Sequence, residues 1–158
     1  MSQRTDLSFR PAGVDDGDGR QLAQAMRDEI AVMYEGLDLD GDTMPKAGPA
    51  ELSPPAGAFV VGYRDGVAVC CGGVKRLDDA HCEIKKMYVV PEARGQGVAR
   101  ALLRELEDIA RRLGYLIARL DTGPKQDNAQ GLYRDEGYRE VPDFNGNPVA
   151  VFWGEKPL

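Results

Sequence analysis

The sequence predicts a mixed α/β fold in which helices alternate with short strands. Two long segments carry apolar residues at spacings of three and four, and several shorter runs are rich in valine, isoleucine and aromatic residues. An Asp-Gly dipeptide between two of these runs is typical of a hairpin turn. The predicted order is strand, helix, long loop, three strands, helix, strand, helix and two strands, with no internal repeat.

The N-terminal part contributes one strand, one helix and a long loop. Residues 7–12, "LSFRPA", place two apolar side chains on one face and end near a proline. Residues 15–34 have a helical apolar stripe. Its members are Leu22, Ala25, Met26, Ile30 and Met33. Residues 34–55 contain four prolines and three glycines, so we expect an irregular loop that is functional or mobile.

The remaining elements follow from the same patterns. Strands are expected on both sides of the turn at Asp65-Gly66, and a third strand is expected in "AHCEIKKMYVV". The helix that follows Gly97 has a continuous apolar stripe and a suitable C-terminal cap in Gly114. The last elements are a strand "YLIARLDT", a short helix "DNAQGLYRDEG", and the strands "YREV" and "AVFWGEK".

Length and composition indicate one ordinary domain spanning 1–158. A chain of 158 residues that is 42% hydrophobic and 29% charged can bury a core and is typical of a soluble protein. No apolar run approaches the roughly 20 residues of a membrane span, and the N-terminus lacks the apolar centre of a signal peptide. Three cysteines without framework spacing indicate reduced thiols. We therefore expect a cytoplasmic protein that does not contact the membrane.

The charge distribution and the spacing of possible metal ligands limit which binding partners are expected. The net charge is -6, and residues 1–60 carry eleven acids and five bases, whereas residues 61–158 carry fifteen of each. Such a chain lacks the basic excess of a nucleic-acid binder, so no nucleic-acid partner is expected. A zinc site is the alternative use of Cys70, Cys71, His81 and Cys82, but their spacing does not fit one. We expect no metal.

The segment "RGQGVA" (94–99) lies where the third strand of the central group gives way to a helix. Its glycines allow close approach of a ligand, and the first turn of a helix presents free N–H groups that attract anions. Arg94 and Arg100 can add charged hydrogen bonds, which predicts a pyrophosphate site. The Walker and dinucleotide patterns are not met. The alternative is a simple turn with both arginines in solvent.

These residues resemble a known family. The pattern V-x-P-E-x-R-G-x-G-V-A-x-x-L after "EIKKMY", with A-x-x-LYRxxGY downstream, resembles the GCN5-related N-acetyltransferase (GNAT) superfamily over residues 57–141. The resemblance implies use of acetyl-coenzyme A (acetyl-CoA). It also implies a mostly antiparallel sheet that splays between its fourth strand, "CEIKKMYVV", and its fifth, "YLIARLDT", with the pantetheine arm in the gap.

The resemblance also assigns residues to the coenzyme. Met87 and Val89 would pair through their main chains with pantetheine, and the period of two in a strand would put both on the side of Glu83. Gln126 occupies a position where the family often has asparagine, and Asn128 is a near alternative. The implied coenzyme-binding set is Met87, Tyr88, Val89, Arg94, Gly95, Gln96, Gly97, Val98, Ala99, Arg100, Gln126, Asn128 and Tyr133.

Two catalytic residues follow from the same resemblance. Tyr133 matches the tyrosine near the coenzyme sulfur that is commonly assigned as general acid, with hydrogen-bond stabilisation of the thiolate as the alternative to full proton transfer. Glu83 matches a catalytic glutamate that would act as the base directly or through water. Deprotonating an alkylamine of pKa roughly 10.4 at pH 7 costs about 4.6 kcal/mol, which a base must help to offset. The N–H of Val89 would hold the oxyanion. The alternative for Glu83 is an ion pair with Lys85 or Lys86, and the alternative for Tyr133 is a core aromatic.

The expected function is acetyl-CoA-dependent N-acetylation of a primary amine by direct transfer. Five acids and Tyr34 are expected around the acceptor entrance and would favour a small cationic molecule. These acids are Glu29, Glu35, Asp38, Asp40 and Asp42. Their alternative is a solvated loop. The rival functions are a protein lysine or N-terminal acetyltransferase and a catalytically silent acyl-CoA-binding module. A homodimer is left open, because Phe144, Phe152 and Trp153 suit either a core or an interface.

Overall fold

The computed structural model describes residues 6–39, 41–126 and 128–158. Asp40, one of the acids expected at the acceptor entrance, lies outside them. The seven strands are β1 (Leu7–Pro11), β2 (Ala58–Arg64), β3 (Val67–Arg76), β4 (His81–Val89), β5 (Ile117–Thr122), β6 (Arg139–Glu140) and β7 (Phe152–Pro157). The helices are α1 (Gly17–Met33), α2 (Val98–Arg112) and α3 (Ala129–Asp135), with a short 3-10 turn at Pro91–Ala93. The predicted mixed α/β order is confirmed.

The strands form one sheet in the order β1-β2-β3-β4-β5-β7-β6. All neighbours are antiparallel except β4 and β5, which are parallel. That parallel pair is short, because it joins only residues 81–83 to residues 117–119. Beyond this point β4 stays with β3 and β5 stays with β7, so a gap opens between them. The splayed sheet is therefore confirmed.

A helix covers each face of the sheet. The predicted stripe of α2 is buried against β3, β4 and β5, where Leu102, Leu103 and Leu106 are fully enclosed. The opposite face is covered by α1, whose Leu22, Ala23 and Met26 pack with Phe59 and Val61 of β2 and with other residues. Phe152 lies in the α2 core and is fully buried, so this aromatic is a core residue. No helix in the described ranges has the length and apolar character of a membrane span.

An irregularity in β4 changes which side chains share a face. Tyr88 pairs with Cys71 but Lys85 pairs with Gly73, so β4 carries one extra residue, and Lys86 has a φ of 57°. Before this bulge Ile84 faces the α2 core, and after it Met87 packs on the same core. The expectation that Glu83 shares a side with Met87 and Val89 was therefore wrong, because a bulge reverses the alternation of a strand.

The α2 core should account for a large share of the stability. The Leu103 side chain is 0% exposed. Replacing Leu103 by alanine should lower the free energy of unfolding by about 2–5 kcal/mol, because both burial and packing are lost. Urea denaturation followed by circular dichroism measures the change.

Leu116→Ala is the control for this substitution. Leu116 precedes β5 and is 66% exposed, so its truncation should change stability by less than about 0.5 kcal/mol. Equal effects of the two substitutions would contradict the core assignment.

Candidate active site

A groove occupies the gap between β4 and β5. Its volume is about 590 Å³, within the usual range for small-molecule sites. Most of the predicted coenzyme-binding residues line it. They are Met87, Tyr88, Val89, Arg94, Gly95, Gly97, Val98, Ala99, Arg100, Gln126, Asn128 and Tyr133. Gln96 is the exception, since its amide donates to the Glu92 carbonyl at 3.1 Å and it does not line the groove.

The loop before α2 has the geometry of an anion site. Gly95 and Gly97 have φ values of 74° and 82°, a region that favours glycine, and Gly97 is the N-terminal cap of α2. The N–H groups of residues 96–100 make no hydrogen bond to the described part of the chain. Free N–H groups at the start of a 15-residue helix attract phosphate oxygens. The sequence prediction of a cradle therefore has a matching backbone.

Arg94 has a different partner from the one expected. Its Nε donates to the carbonyl of Val89 at 2.9 Å, and its Nη2 donates to both carboxylate oxygens of Glu29 at 2.8 and 3.0 Å. The guanidinium also lies over the Tyr88 ring, 5.6 Å from its centre. Arg94 thus ties the loop to α1 instead of extending freely toward a phosphate.

Arg100 lies on the α3 side of the groove. It pairs with Glu136, which also accepts hydrogen bonds from Arg104 at 2.8 and 3.1 Å. The hydrogen bonds from the two arginines lower the pKa of Glu136 to about 2, and the one from Arg104 has the larger effect. Arg100 also lies 3.8 Å from Asp135, so this arginine is held by two carboxylates beside the start of α2.

The edge of β4 that faces the gap carries unpaired main-chain groups. The N–H of Val90 donates to the Val69 carbonyl of β3 at 2.9 Å. Since main-chain groups alternate along a strand, those of Met87 and Val89 point away from β3 and toward the gap. The Val89 carbonyl accepts from Arg94, as described, while its N–H faces the groove. This edge can pair with an extended ligand arm.

Tyr133 lies where the groove meets a second cavity. Burial and then the charge of Asp121 raise the pKa of Tyr133 to about 12, so its hydroxyl stays protonated. The ring makes an edge contact with Tyr138, at 6.0 Å between centres. Tyr138 in turn donates to the buried carboxylate of Glu107 at 2.9 Å, which Lys156 also contacts at 3.0 Å. This buried network supports the position of the Tyr133 ring.

The second cavity, called here the acceptor cavity, has a volume of about 120 Å³. It shares Met26, Ile30, Met87, Gln126 and Tyr133 with the groove. The long loop covers it with mainly apolar side chains. These are Leu37, Leu39, Met44, Pro45 and Ala47, next to Tyr34 at the end of α1.

The acids expected around the acceptor do not line this cavity. Glu35, Asp38 and Asp42 are exposed, and Glu29 lines the groove as the partner of Arg94. The charged residues in the cavity wall are Lys85, Lys86 and Asp121. The cavity wall is mainly apolar because the loop turns its apolar side chains inward, and an acidic entrance outside this wall stays a prediction.

Glu83 lies behind the cavity and not in its wall. The side chain is 0% exposed, and its Oε2 accepts from Asn145 at 2.8 Å and from Lys85 at 3.3 Å. Its Oε1 has no partner among the described residues. The ion pair with Lys85 is the structural alternative considered for Glu83, so direct contact with an acceptor is not available to it here.

Comparison with known proteins fits this geometry. The sequence profile of the Acetyltransferase (GNAT) family matches residues 23–138. The chain belongs to this family. An IAA acetyltransferase from Azospirillum brasilense is 33% identical over 143 residues, which cover 84% of this chain and 93% of that protein.

Further relatives extend the comparison. The N-alpha-acetyltransferase RimI of Mycobacterium tuberculosis is 36% identical over 125 residues, covering 76% of this chain and 77% of that protein. A GNAT-family acetyltransferase structure from Staphylococcus aureus has a TM-score of 0.75 at 17% identity, covering 96% and 99% of the two chains. The GNAT chain described here is therefore an acetyltransferase that uses acetyl-CoA as co-substrate.

The sequence reasoning on this GNAT enzyme missed several polar residues of the site. Asp121 at the end of β5 lines the acceptor cavity, and Asn147 does so from the loop before β7. Asn145 bridges Asp121 and Glu83. The one available signal was the position of Asp121 in "RLDT", at the end of the strand next to the gap. Among the described residues, no group of three or more metal-ligand side chains is found.

The Glu136 cluster makes a pH-dependent contribution to stability. The folded pKa of about 2 lies below the ordinary glutamate value of 4.5, so the contribution is present above about pH 4.5 and is lost as the pH falls toward 2. Glu136→Gln should lower stability at pH 7 and reduce the loss of stability between pH 5 and 2. Thermal unfolding at a series of pH values measures both effects.

Glu140→Gln provides the comparison. Glu140 pairs with Arg134 at 3.1 Å on the surface, and exposed pairs contribute little. If the Glu140 variant changed the pH profile as much as the Glu136 variant, the assignment of this acid dependence to Glu136 would be wrong.

Proposed function

We propose that this enzyme transfers the acetyl group directly to the primary amine of a small molecule, with both substrates bound at once. The observation that carries the proposal is the junction of the groove and the acceptor cavity at Met87, Gln126 and Tyr133. Two cavities that meet at one tyrosine allow a thioester and an amine to come into contact. Holding the two reactants together removes much of the entropic barrier to their reaction.

The groove supplies the groups that acetyl-CoA requires. The free N–H groups at the start of α2, together with Arg100, would hold the pyrophosphate. The free N–H of Val89 would stabilise the negative charge that develops on the acetyl oxygen. When bound, acetyl-CoA supplies the activated acetyl thioester. Gln126 is held by the Gly123 N–H at 2.7 Å and would shape the end of the groove.

Tyr133 is proposed to donate a hydrogen bond to the leaving sulfur. For a thiol of pKa about 8.5, full proton transfer from a phenol of pKa about 12 is uphill by roughly 5 kcal/mol. A hydrogen bond stabilises the sulfur charge without that transfer. The raised pKa of Tyr133 therefore supports a donor that remains protonated through the reaction.

The acceptor cavity favours a small molecule over a protein. Tyr34 and the apolar residues of the long loop enclose it, whereas a peptide would require an open groove. The RimI relative is named as an N-alpha-acetyltransferase, so a protein N-terminus is the second candidate. Because the acids expected at the entrance are not in the cavity wall, the proposal is limited to a primary amine and does not require further positive charge.

Acetyl-CoA binding tests the phosphate site. Arg100→Ala should weaken binding of acetyl-CoA by about tenfold or more, since a charged hydrogen bond contributes about 1.5–3 kcal/mol. Isothermal titration calorimetry gives the affinity. Arg111→Ala is the matched control, because Arg111 lies at the other end of α2 and pairs with Asp108. No binding by the unmodified protein, or equal binding by both variants, would contradict the proposed site.

Turnover tests the role of Tyr133. With phenethylamine, lysine and a short peptide as acceptors, release of free coenzyme should be seen for at least one small amine. Tyr133→Phe should lower kcat by about 100-fold, as expected for the loss of one hydrogen bond to a developing negative charge, with little change in acetyl-CoA affinity. Tyr63→Phe is the control, because its hydroxyl bonds Asp18 far from the groove. Binding of acetyl-CoA without turnover of any acceptor would indicate a silent binding module, and turnover of the peptide alone would favour a protein acceptor.

A further inference from the structure

We propose that Asp121, and not Glu83, takes the proton of the acceptor amine, and that Asn145 and Asn147 position its carboxylate. This inference rests on the proposed function, because it assigns a residue of the same reaction. The observations that carry it are the place of Asp121 in the cavity wall and the hydrogen bonds of its two oxygens.

The two carboxylates differ in access to the acceptor. Asp121 is partly exposed and lines the acceptor cavity beside Tyr133. Glu83 is fully buried and lines neither the cavity nor the groove. A base must reach within hydrogen-bond distance of the proton that it removes. Of these two carboxylates, Asp121 is the one that lines the cavity and can contact an acceptor directly.

The two carboxylate oxygens of Asp121 differ in their hydrogen bonds. Its Oδ2 accepts from the Asn145 amide at 2.6 Å and from the Asn147 amide at 3.1 Å. Its Oδ1 accepts no hydrogen bond from the described residues. Two donors on one oxygen fix the plane of the carboxylate. The other oxygen remains available for an ammonium group.

The loop between β6 and β7 fixes both amides. The Asp143 carboxylate accepts the N–H groups of Asn145 and Gly146 at 2.9 and 2.7 Å. Trp153 Nε1, which can only donate, bonds the Asn145 carbonyl oxygen at 3.0 Å. The Asn145 NH2 group must therefore face the carboxylates, and this defines the orientation of the amide.

Asn147 is oriented in the same way. Its side-chain carbonyl accepts the Val149 N–H at 3.1 Å, which turns its NH2 group toward Asp121. The Asn147 N–H donates to the Asn145 side chain at 3.0 Å, so the two amides support one another. The loop therefore holds two amide groups against one carboxylate, which fits a role in positioning Asp121.

Glu83 is a second carboxylate near Asp121, and it is buried behind the cavity wall. The Asn145 NH2 group bridges the two carboxylates, at 2.8 Å to Glu83 and 2.6 Å to Asp121. The Lys85 ammonium lies 3.3 Å from Glu83 and balances its charge. Glu83 therefore contacts Asn145 without reaching the cavity.

Two protons leave the acceptor nitrogen during the proposed transfer. The ammonium group of the acceptor gives one proton to Oδ1 of Asp121, and the freed nitrogen lone pair forms the bond to the acetyl carbon. The carbon–sulfur bond breaks with its electron pair on sulfur, which is stabilised by the Tyr133 hydroxyl. The nitrogen loses its second proton, which ends on the sulfur. Asp121 then releases the first proton to solvent, so each turnover yields an amide, a thiol and one proton.

An isosteric pair of acceptors tests the assignment. Phenethylamine is protonated at pH 7, whereas O-benzylhydroxylamine has the same shape and a neutral nitrogen. Asp121→Asn should lower kcat/KM for phenethylamine by about 100-fold and for O-benzylhydroxylamine by less than about tenfold. Glu83→Gln, the matched neutralisation of the other carboxylate, should lower both values by less than about tenfold. Acetyl-CoA affinity by calorimetry should be unchanged in both variants.

Each result decides between the residues. A similar loss for both amines in Asp121→Asn, or a selective loss for phenethylamine in Glu83→Gln, would overturn the assignment to Asp121 and leave the proposed function intact. Failure of the unmodified enzyme to acetylate any of phenethylamine, O-benzylhydroxylamine and lysine would count against the proposed function itself. Asp121→Ser serves as a second variant if Asp121→Asn loses acetyl-CoA binding.

The positioning role of Asn145 and Asn147 is tested separately, by substituting each of them. Asn147→Ala should lower kcat/KM more for phenethylamine than for O-benzylhydroxylamine, because a misplaced carboxylate matters only when a proton must be removed. A purely structural role would lower both values equally and would overturn the positioning role of Asn147. Asn145→Ala should act in the same direction.

Discussion

The early end of pairing between β4 and β5 is the constraint on which the rest of the site depends. After three paired residues the strands separate, and the main-chain groups of Met87 and Val89 are left without a partner strand. An unpaired backbone group costs about 1–3 kcal/mol when it is buried, whereas this edge faces the groove, where water or an extended ligand can pair with it. The same gap exposes the start of α2 and places Tyr133 of α3 beside the groove. The groove, the exposed start of the helix and the position of Tyr133 all follow from one interrupted strand pair.

The bulge at Lys86 determines which side chains of β4 face α2 and which face α1 beside this gap. It turns Met87 to the α2 side, while Tyr88 packs with α1. Without the extra residue, Met87 would share a face with Glu83 and Lys85, and the wall between the groove and the acceptor cavity would have a different composition. A positive φ at a lysine is unfavourable, so the surrounding pairs must hold it in place.

The sequence predicted the elements and the glycine-rich start of α2 well because both depend on local patterns. The apolar stripe of α2 and the glycines at 95 and 97 are readable within a few residues. The partners of Arg94 and Asp121 were not readable, because Glu29 is 65 residues from Arg94 and Asn145 is 24 residues from Asp121. The reversed face of Glu83 was missed for a similar reason, since the position of a bulge depends on the neighbouring strand. Local chemistry was therefore predictable, and the pairing of distant charges was not.

The bidentate contact between Arg94 and Glu29 has a consequence for how the two substrates influence one another. Glu29 is on α1, and the same helix supplies Met26 and Ile30 to the wall shared by the groove and the acceptor cavity. The phosphate loop and the acceptor wall are thus joined through one rigid element. A displacement of α1 by one substrate would change the free energy with which the other binds, and by thermodynamic linkage the effect would be equal in both directions. The ion pair therefore provides a structural connection between the two proposed binding sites.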